Sequence, residues 1–460
     1  MSQVFSNDWK NIANKPLIRP DIPLSFLGKW PAYGLFVLML AFPMVLKLLY
    51  VKVLLFAVVL FVVVAGIFRN GKLALHPYVL IWFLYLAAVG LFFSVEGLML
   101  GTPGALKSAQ VYVLWPIVYA VVISAIADRD TVCDINWLVI LSTIFVGFYG
   151  ITFTLSAMGF LPRFSYFDWL AFGEFHKVGL YNGYIEIAFQ GLNSTPFLVP
   201  FSLAAFISCQ PAENEKTIGR FWLWLALLLG VGVALVSGRR AVYLVMLLSP
   251  AFILFFRYFQ PYEEKGRNRK FLYHLAILGA CSLLLLSFYL GIHFDKLSQI
   301  FLNAFDITKL TSDLGSLARY EQLHALLQGW SEHVFLGAGH GASAASYGSV
   351  RSETMPWAYE LYYLALLYQV GLIGFLAYAS AIIWVYWLGI KVIRDGGILG
   401  QMMLSCLVGM SCMLVATGTN PYLARFDGWW VIFLPVAVIN RWLLEQHSGG
   451  SNDDYQQPLA

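Results

Sequence analysis

The chain has 460 residues, of which 60% are hydrophobic and only 12% charged, with a formal net charge of +4 and a mean hydropathy of +0.72. Soluble chains carry about a quarter charged residues, so this composition excludes a soluble enzyme or a disordered scaffold and predicts an all-α polytopic membrane protein. Long continuous apolar runs exclude an outer-membrane barrel, and the lack of a basic tract interleaved with aromatics excludes nucleic acid as a partner.

Residues 1–30 carry Lys10, Lys15, Arg19 and Lys29, too polar for a signal peptide, and are expected to form a cytoplasmic tail. Residues 31–293 hold nine runs long enough to cross a hydrocarbon layer about 30 Å thick. These are Pro31 to Leu49, Val51 to Phe68, Tyr78 to Val95, Val111 to Ala127, Trp137 to Leu155, Ser194 to Cys209, Phe221 to Ser237, Ala241 to Phe256 and Leu272 to Ile292. Residues 358–444 hold three more, Leu372 to Ile390, Leu399 to Gly418 and Trp429 to Leu444, for about twelve helices in all. A polar tail, 445–460, follows.

The connector from Arg257 to Lys270 packs five bases (Arg257, Lys265, Arg267, Arg269, Lys270) into a short loop, which the positive-inside rule places in the cytoplasm. Both termini then lie inside, and two long loops, 162–193 and 294–357, lie outside. Loops of that length tend to carry function. The second is expected to open with a mixed helix near Gly315 to Gly329 and to turn through Gly337-Ala-Gly-His-Gly341. Cys133, Cys209, Cys281, Cys406 and Cys412 show no metal or redox spacing and are read as packing residues.

Four places break the pattern of a plain apolar bundle. Ser237-Gly-Arg239-Arg240 sets paired arginines on the external side with no nearby carboxylate in sequence; they are read as an anion site, the alternative being a snorkelling interface pair. Arg319, in Ala318-Arg-Tyr-Glu321, has as its plainer alternative an exposed ion pair with Glu321. His340 is a candidate base or phosphate ligand inside a glycine-rich turn whose glycines serve, on the plainer view, only packing or positive φ. Glu360 opens the apolar run Leu361 to Ile390, which as one helix spans about 45 Å, more than the membrane needs. The run is expected to tilt, project or bend, with a break at Gln369-Val-Gly371. A carboxylate at the mouth of such a helix is a functional candidate, against the alternative of a charge favoured by the helix dipole.

In order and shared side, these motifs resemble the O-antigen ligase and polymerase superfamily of bacterial inner-membrane glycan enzymes. The resemblance rests on Ser237-Gly-Arg-Arg240, on Arg319 followed by Trp330 and Leu336-Gly-Ala-Gly-His-Gly341, and on Glu360-Leu-Tyr-Tyr-Leu364 followed by Gly371-Leu-Ile-Gly374. It covers roughly Val236 to Phe375. Ligases of the family begin the third motif with a histidine eleven residues before the first glycine, where this chain has Glu360. That departure favours the polymerase branch.

The resemblance implies a glycosyltransferase-C-like arrangement in the bacterial inner membrane, with the long loops and the active site facing the periplasm. It further implies a donor glycan on undecaprenyl diphosphate, a glycan acceptor, membrane lipid and a chain-length regulator as partners, and an inverting transfer that needs no metal or cofactor. Arg239, Arg240 and Arg319 would bind the diphosphate and stabilise the leaving group, and Glu360 or His340 would take the proton of the acceptor hydroxyl. The alternatives are a ligase joining glycan to lipid A core and a polytopic transporter or flippase; transporters place their polar groups near the bilayer midplane, whereas this chain gathers them externally.

Overall fold

The computed structural model describes residues 26–43, 46–70, 73–157, 159–162, 177–181, 184–208, 218–237, 239–261, 314–348 and 353–449. Among them, seven helices are long and apolar enough to cross a membrane, and three shorter apolar helices, Lys29–Ala41, Arg220–Val236 and Ala241–Arg257, accompany them. The chain is thus a helical membrane protein by length and composition of its elements. The expected run Leu272 to Ile292 lies outside the described residues, as do most of the two tails, the bases from Lys265 to Lys270 and parts of both long loops.

Helix α1 (Phe26–Ala41) ends sooner than the hydropathy indicated, and α2 (Leu46–Asn70) begins before the expected boundary at Val51. Pro43 accounts for the shift, because proline has no N–H to give and pushes its predecessor out of the helical region. Helix α3 (Pro77–Met99) starts on a proline at its first position, with the ring of His76 accepting the Tyr78 N–H at 3.3 Å. Helix α4 (Ala105–Ala125) contains a π-turn at Gln110–Leu114. Pro116 explains the turn: it cannot bond back to the Tyr112 carbonyl, so the ladder slips to the wider spacing and the Trp115 N–H reaches Gln110 instead.

There follow α5 (Arg129–Ala157), a two-stranded antiparallel hairpin of β1 (Lys177–Tyr181) and β2 (Tyr184–Ala188), and α6 (Thr195–Ser208). The hairpin sits in the 162–193 loop and had no counterpart in the hydropathy pattern. The remaining helices are α7 (Arg220–Val236), α8 (Arg240–Arg257), α9 (Leu314–Glu332), α10 (Tyr362–Asp395), α11 (Gly397–Thr417) and α12 (Trp430–Gly449).

Helix α5 packs on α7, and α11 on both α6 and α8. Without water between helices, close packing supplies the association, so small residues line the tightest seams. A side chain at Gly147 would strike the Leu229 backbone, and one at Gly409 would meet the Phe197 ring at 2.8 Å. The main core is aromatic-rich, with Trp430, Phe433, Phe197 and Phe201 each at most 1% exposed. A second, separate apolar cluster of Ala325, Leu326, Ala342, Ala344, Tyr359, Ala365 and Tyr368 joins α9, the turn after it and the first part of α10. This satellite core carries the candidate site.

Candidate functional site

Helix α10 is broken where the sequence indicated, at Gly371, whose φ of 60° and ψ of −171° lie outside the helical region. A break frees backbone groups that must be satisfied in an apolar setting. The turn after α9 satisfies them: Leu372 and Ile373 donate to the carbonyls of Val334 and Phe335 at 2.8 and 3.0 Å, and the Ala338 N–H is received by Tyr368 at 2.9 Å. Two segments 30 to 38 residues apart in sequence therefore lock into one backbone unit. Gly337, Gly339 and Gly341 all have positive φ, between 77° and 83°. The turn is pressed so tightly against α3 that a Cβ at Gly339 would lie 2.6 Å from the Gly97 Cα. Packing and positive φ thus account for these glycines.

Glu360 lies just before the first turn of α10, and Arg319 of α9 meets its side chain. The Arg319 Nε and Glu360 Oε2 are 2.6 Å apart in an ion pair whose side chains are 35% and 21% exposed. The contact is close but off the line of the Nε–H, so it is a charge pairing rather than a well-directed hydrogen bond. The Glu360 N–H donates to the Oε1 of Gln322, one helical turn beyond Arg319, at 2.9 Å. Arg319 thus meets a carboxylate 41 residues away in sequence, an acid different from the Glu321 weighed as its local partner.

The paired arginines lie at the same end of the bundle. Arg239 caps the start of α8, its Nη1 donating to Asn193 Oδ1 at 3.0 Å, and its backbone N–H reaches Ser237 Oγ at 3.3 Å. Arg240 is the first residue of α8; its side chain, like Gly238, lies outside the described residues. Ala241 packs beside Ala416 near the end of α11. There the Leu414 carbonyl accepts the hydroxyl of Tyr363, three residues after Glu360, at 2.6 Å. The starts of α8 and α10 therefore both lie beside the end of α11, which puts Arg239 at the same end of the bundle as Glu360.

His340 is placed differently. It is 0% exposed, stacks on Tyr112 with ring centroids 4.4 Å apart and 7° between planes, and its Nε2 lies 3.0 Å from the Tyr378 hydroxyl. Its N–H and carbonyl are taken by Phe93 O and Thr102 Oγ1, at 3.0 and 2.7 Å. Burial pushes the imidazole down to about 3 against a weaker opposing bond to Gln369, so the ring is neutral at physiological pH. The expectation that His340 serves as a base or phosphate ligand is revised on this geometry: an enclosed ring meets no acceptor hydroxyl. It pins the glycine-rich turn against α3, α4 and α10.

One charged pair escaped the sequence reading. Lys52, inside α2, and Asp427, in the turn between α11 and α12, pair at 3.1 Å with both side chains 2% exposed, and Lys52 also donates to the Phe42 carbonyl at 3.0 Å. The signal that would have found the pair was a lysine in an otherwise apolar run, where an ionisable group demands a partner. Among the described residues, Cys406 and Cys412 carry free thiols, and no group of three or more His, Cys, Asp or Glu side chains comes together to hold a metal. Comparison with protein-family models finds none that matches, and comparison with curated proteins finds none similar.

Proposed function

We propose that the chain is a polymerase of undecaprenyl-diphosphate-linked oligosaccharide repeat units, acting at the periplasmic face of a bacterial inner membrane. The observation that carries this reading is the Arg319–Glu360 pair, 2.6 Å apart at the mouth of α10. Transfer from a polyprenyl diphosphate needs a base beside the acceptor hydroxyl and fixed positive charge beside the departing diphosphate. One ion pair provides both groups side by side, and Arg239 lies at the same end of the bundle.

In this reading the acceptor oxygen bonds to the anomeric carbon as that carbon's bond to the diphosphate oxygen breaks. The hydroxyl proton passes to Glu360, and the bonding electrons leave with undecaprenyl diphosphate. Attack opposite the leaving group inverts the anomeric centre. Arg239, Arg240 and Arg319 take up the charge that develops on the diphosphate, the guanidinium fork being suited to its paired oxygens. Apolar helix faces hold the polyprenyl chains in the lipid. A glutamate where ligases of the resembled family carry histidine favours chain growth over transfer to lipid A core.

The test is extension of a purified undecaprenyl-diphosphate oligosaccharide by the purified protein in lipid vesicles. A ladder of products spaced by one repeat supports the proposal. Donor that is never extended and is consumed only on adding lipid A core, giving a single glycan–lipid A product, would replace it with ligation, and no product from either acceptor would overturn both.

A further inference from the structure

Residues 357–360 lie between the end of the turn and the start of α10, without regular secondary structure, yet each fixed point of this segment is held from a different side. The Trp357 carbonyl accepts from Gln369 Nε2 at 3.4 Å, the Tyr359 hydroxyl accepts from the Ala344 N–H at 2.5 Å, and the Glu360 N–H donates to Gln322 Oε1 at 2.9 Å. Only the last of these acts on Glu360 itself. Gln322 is 2% exposed, although glutamine is rarely buried without a polar task. It follows Arg319 by three residues on α9, so the two side chains share a helix face. One face of α9 therefore grips Glu360 at two points, the carboxylate by Arg319 and the main chain by Gln322.

We propose that Gln322 is a positioning residue that fixes the main chain of Glu360 so that its carboxylate stays beside both Arg319 and the acceptor hydroxyl. This rests on Glu360 being the base. A base displaced by about 1 Å costs on the order of a hundredfold in rate while leaving remote binding contacts in place. Gln322 is thus expected to govern turnover and not donor affinity. Neither of the pinning bonds at Trp357 and Tyr359 replaces it, because neither involves the Glu360 N–H.

Gln322→Met keeps the side-chain length and removes the acceptor oxygen. The full-length protein in lipid nanodiscs is examined by hydrogen exchange over residues 357–361 and by steady-state extension of an undecaprenyl-diphosphate oligosaccharide. The expected result is exchange at least tenfold faster over that segment, kcat lowered tenfold to a hundredfold, and donor affinity within twofold of wild type. If Gln322→Met does not accumulate, Gln322→Asn, which withdraws the oxygen by one methylene and keeps the site polar, is measured with the same expectation. Unchanged exchange overturns the two-point grip whatever the protein's activity. Faster exchange with kcat unchanged, or with donor affinity lost in step with kcat, overturns the positioning role. Faster exchange together with a Glu360→Gln variant that extends glycan at the wild-type rate leaves the grip standing and refutes the base assignment instead.

Discussion

Replacing Gly339 by alanine separates two uses of the glycine-rich turn, because a second glycine supplies the control. Gly101 has a φ of 67° and open space where a Cβ would go, whereas Gly339 has a φ of 82° and would put its Cβ 2.6 Å from the Gly97 Cα and 2.8 Å from the Gly97 nitrogen. Gly101→Ala therefore bears only the left-handed backbone penalty, about 1–2 kcal/mol, partly offset by the stiffer unfolded chain. Gly339→Ala adds a clash with main-chain atoms that no rotamer relieves, at the overpacking cost of about 1–3 kcal/mol, so its total is about 2–5 kcal/mol. The assay is thermal unfolding of the purified variants in detergent, with binding of a polyprenyl diphosphate measured below the transition. Gly339→Ala should unfold clearly earlier than Gly101→Ala, and the folded fraction should bind donor normally. A Gly339→Ala protein as stable as Gly101→Ala but unable to bind diphosphate would refute this account and make the turn a phosphate cradle.

Arg239→Ala, Arg240→Ala and Arg319→Ala should each accumulate in the membrane while at least two deplete polymer, with lysine a poor substitute wherever the fork is bidentate; normal glycan ladders from all three at wild-type protein levels would make them interface anchors. Asp427→Ala should lower the unfolding midpoint by the equivalent of about 3–5 kcal/mol, because it strands Lys52, 2% exposed, without its counter-charge. The double variant Lys52→Met/Asp427→Leu should recover most of that loss, and a single variant as stable as wild type would show the pair to be idle. A cysteine at the exposed Ser346, in a cysteine-free background, should react with an impermeant maleimide from the periplasmic side; access from the cytoplasm alone would invert the topology. His340, neutral in the fold with its imidazole pushed down to about 3, binds a proton in the unfolded chain near pH 6.5. Its contribution is therefore complete above about pH 6.5 and fades as the pH falls toward 3, so His340→Gln should flatten the stability profile across that interval.

Composition alone carried the membrane assignment, since runs of apolar residues and their length leave little choice of element. The break at Gly371 was legible because a helix of 30 or more residues overshoots the bilayer and glycine is the residue that tolerates the required φ. The partner of Arg319 was not legible. Helical spacing offers Glu321 as a local acid, and nothing in one sequence says that a turn folding back on α10 brings Glu360 nearer. His340 misled for a related reason: a histidine among glycines looks accessible, and only the fold shows Tyr112 lying across its ring. The π-turn that aims Tyr112 there follows from Pro116, yet that consequence depends on the neighbour α3 as much as on the proline. Lys52 was hidden by averaging, one charge diluted in a strongly apolar window.

The central claim is that Glu360, held by Arg319, accepts the proton of the attacking hydroxyl. The most direct measurement is single-turnover extension of an undecaprenyl-diphosphate oligosaccharide by Glu360→Gln, with donor binding measured on the same preparation and Glu360→His alongside. The amide keeps the shape and loses the base, so donor should bind as in wild type while extension stops, and the histidine variant should recover at most part of the rate. Extension by Glu360→Gln at the wild-type rate would contradict the claim and leave stabilisation of the diphosphate by the arginines to carry the reaction.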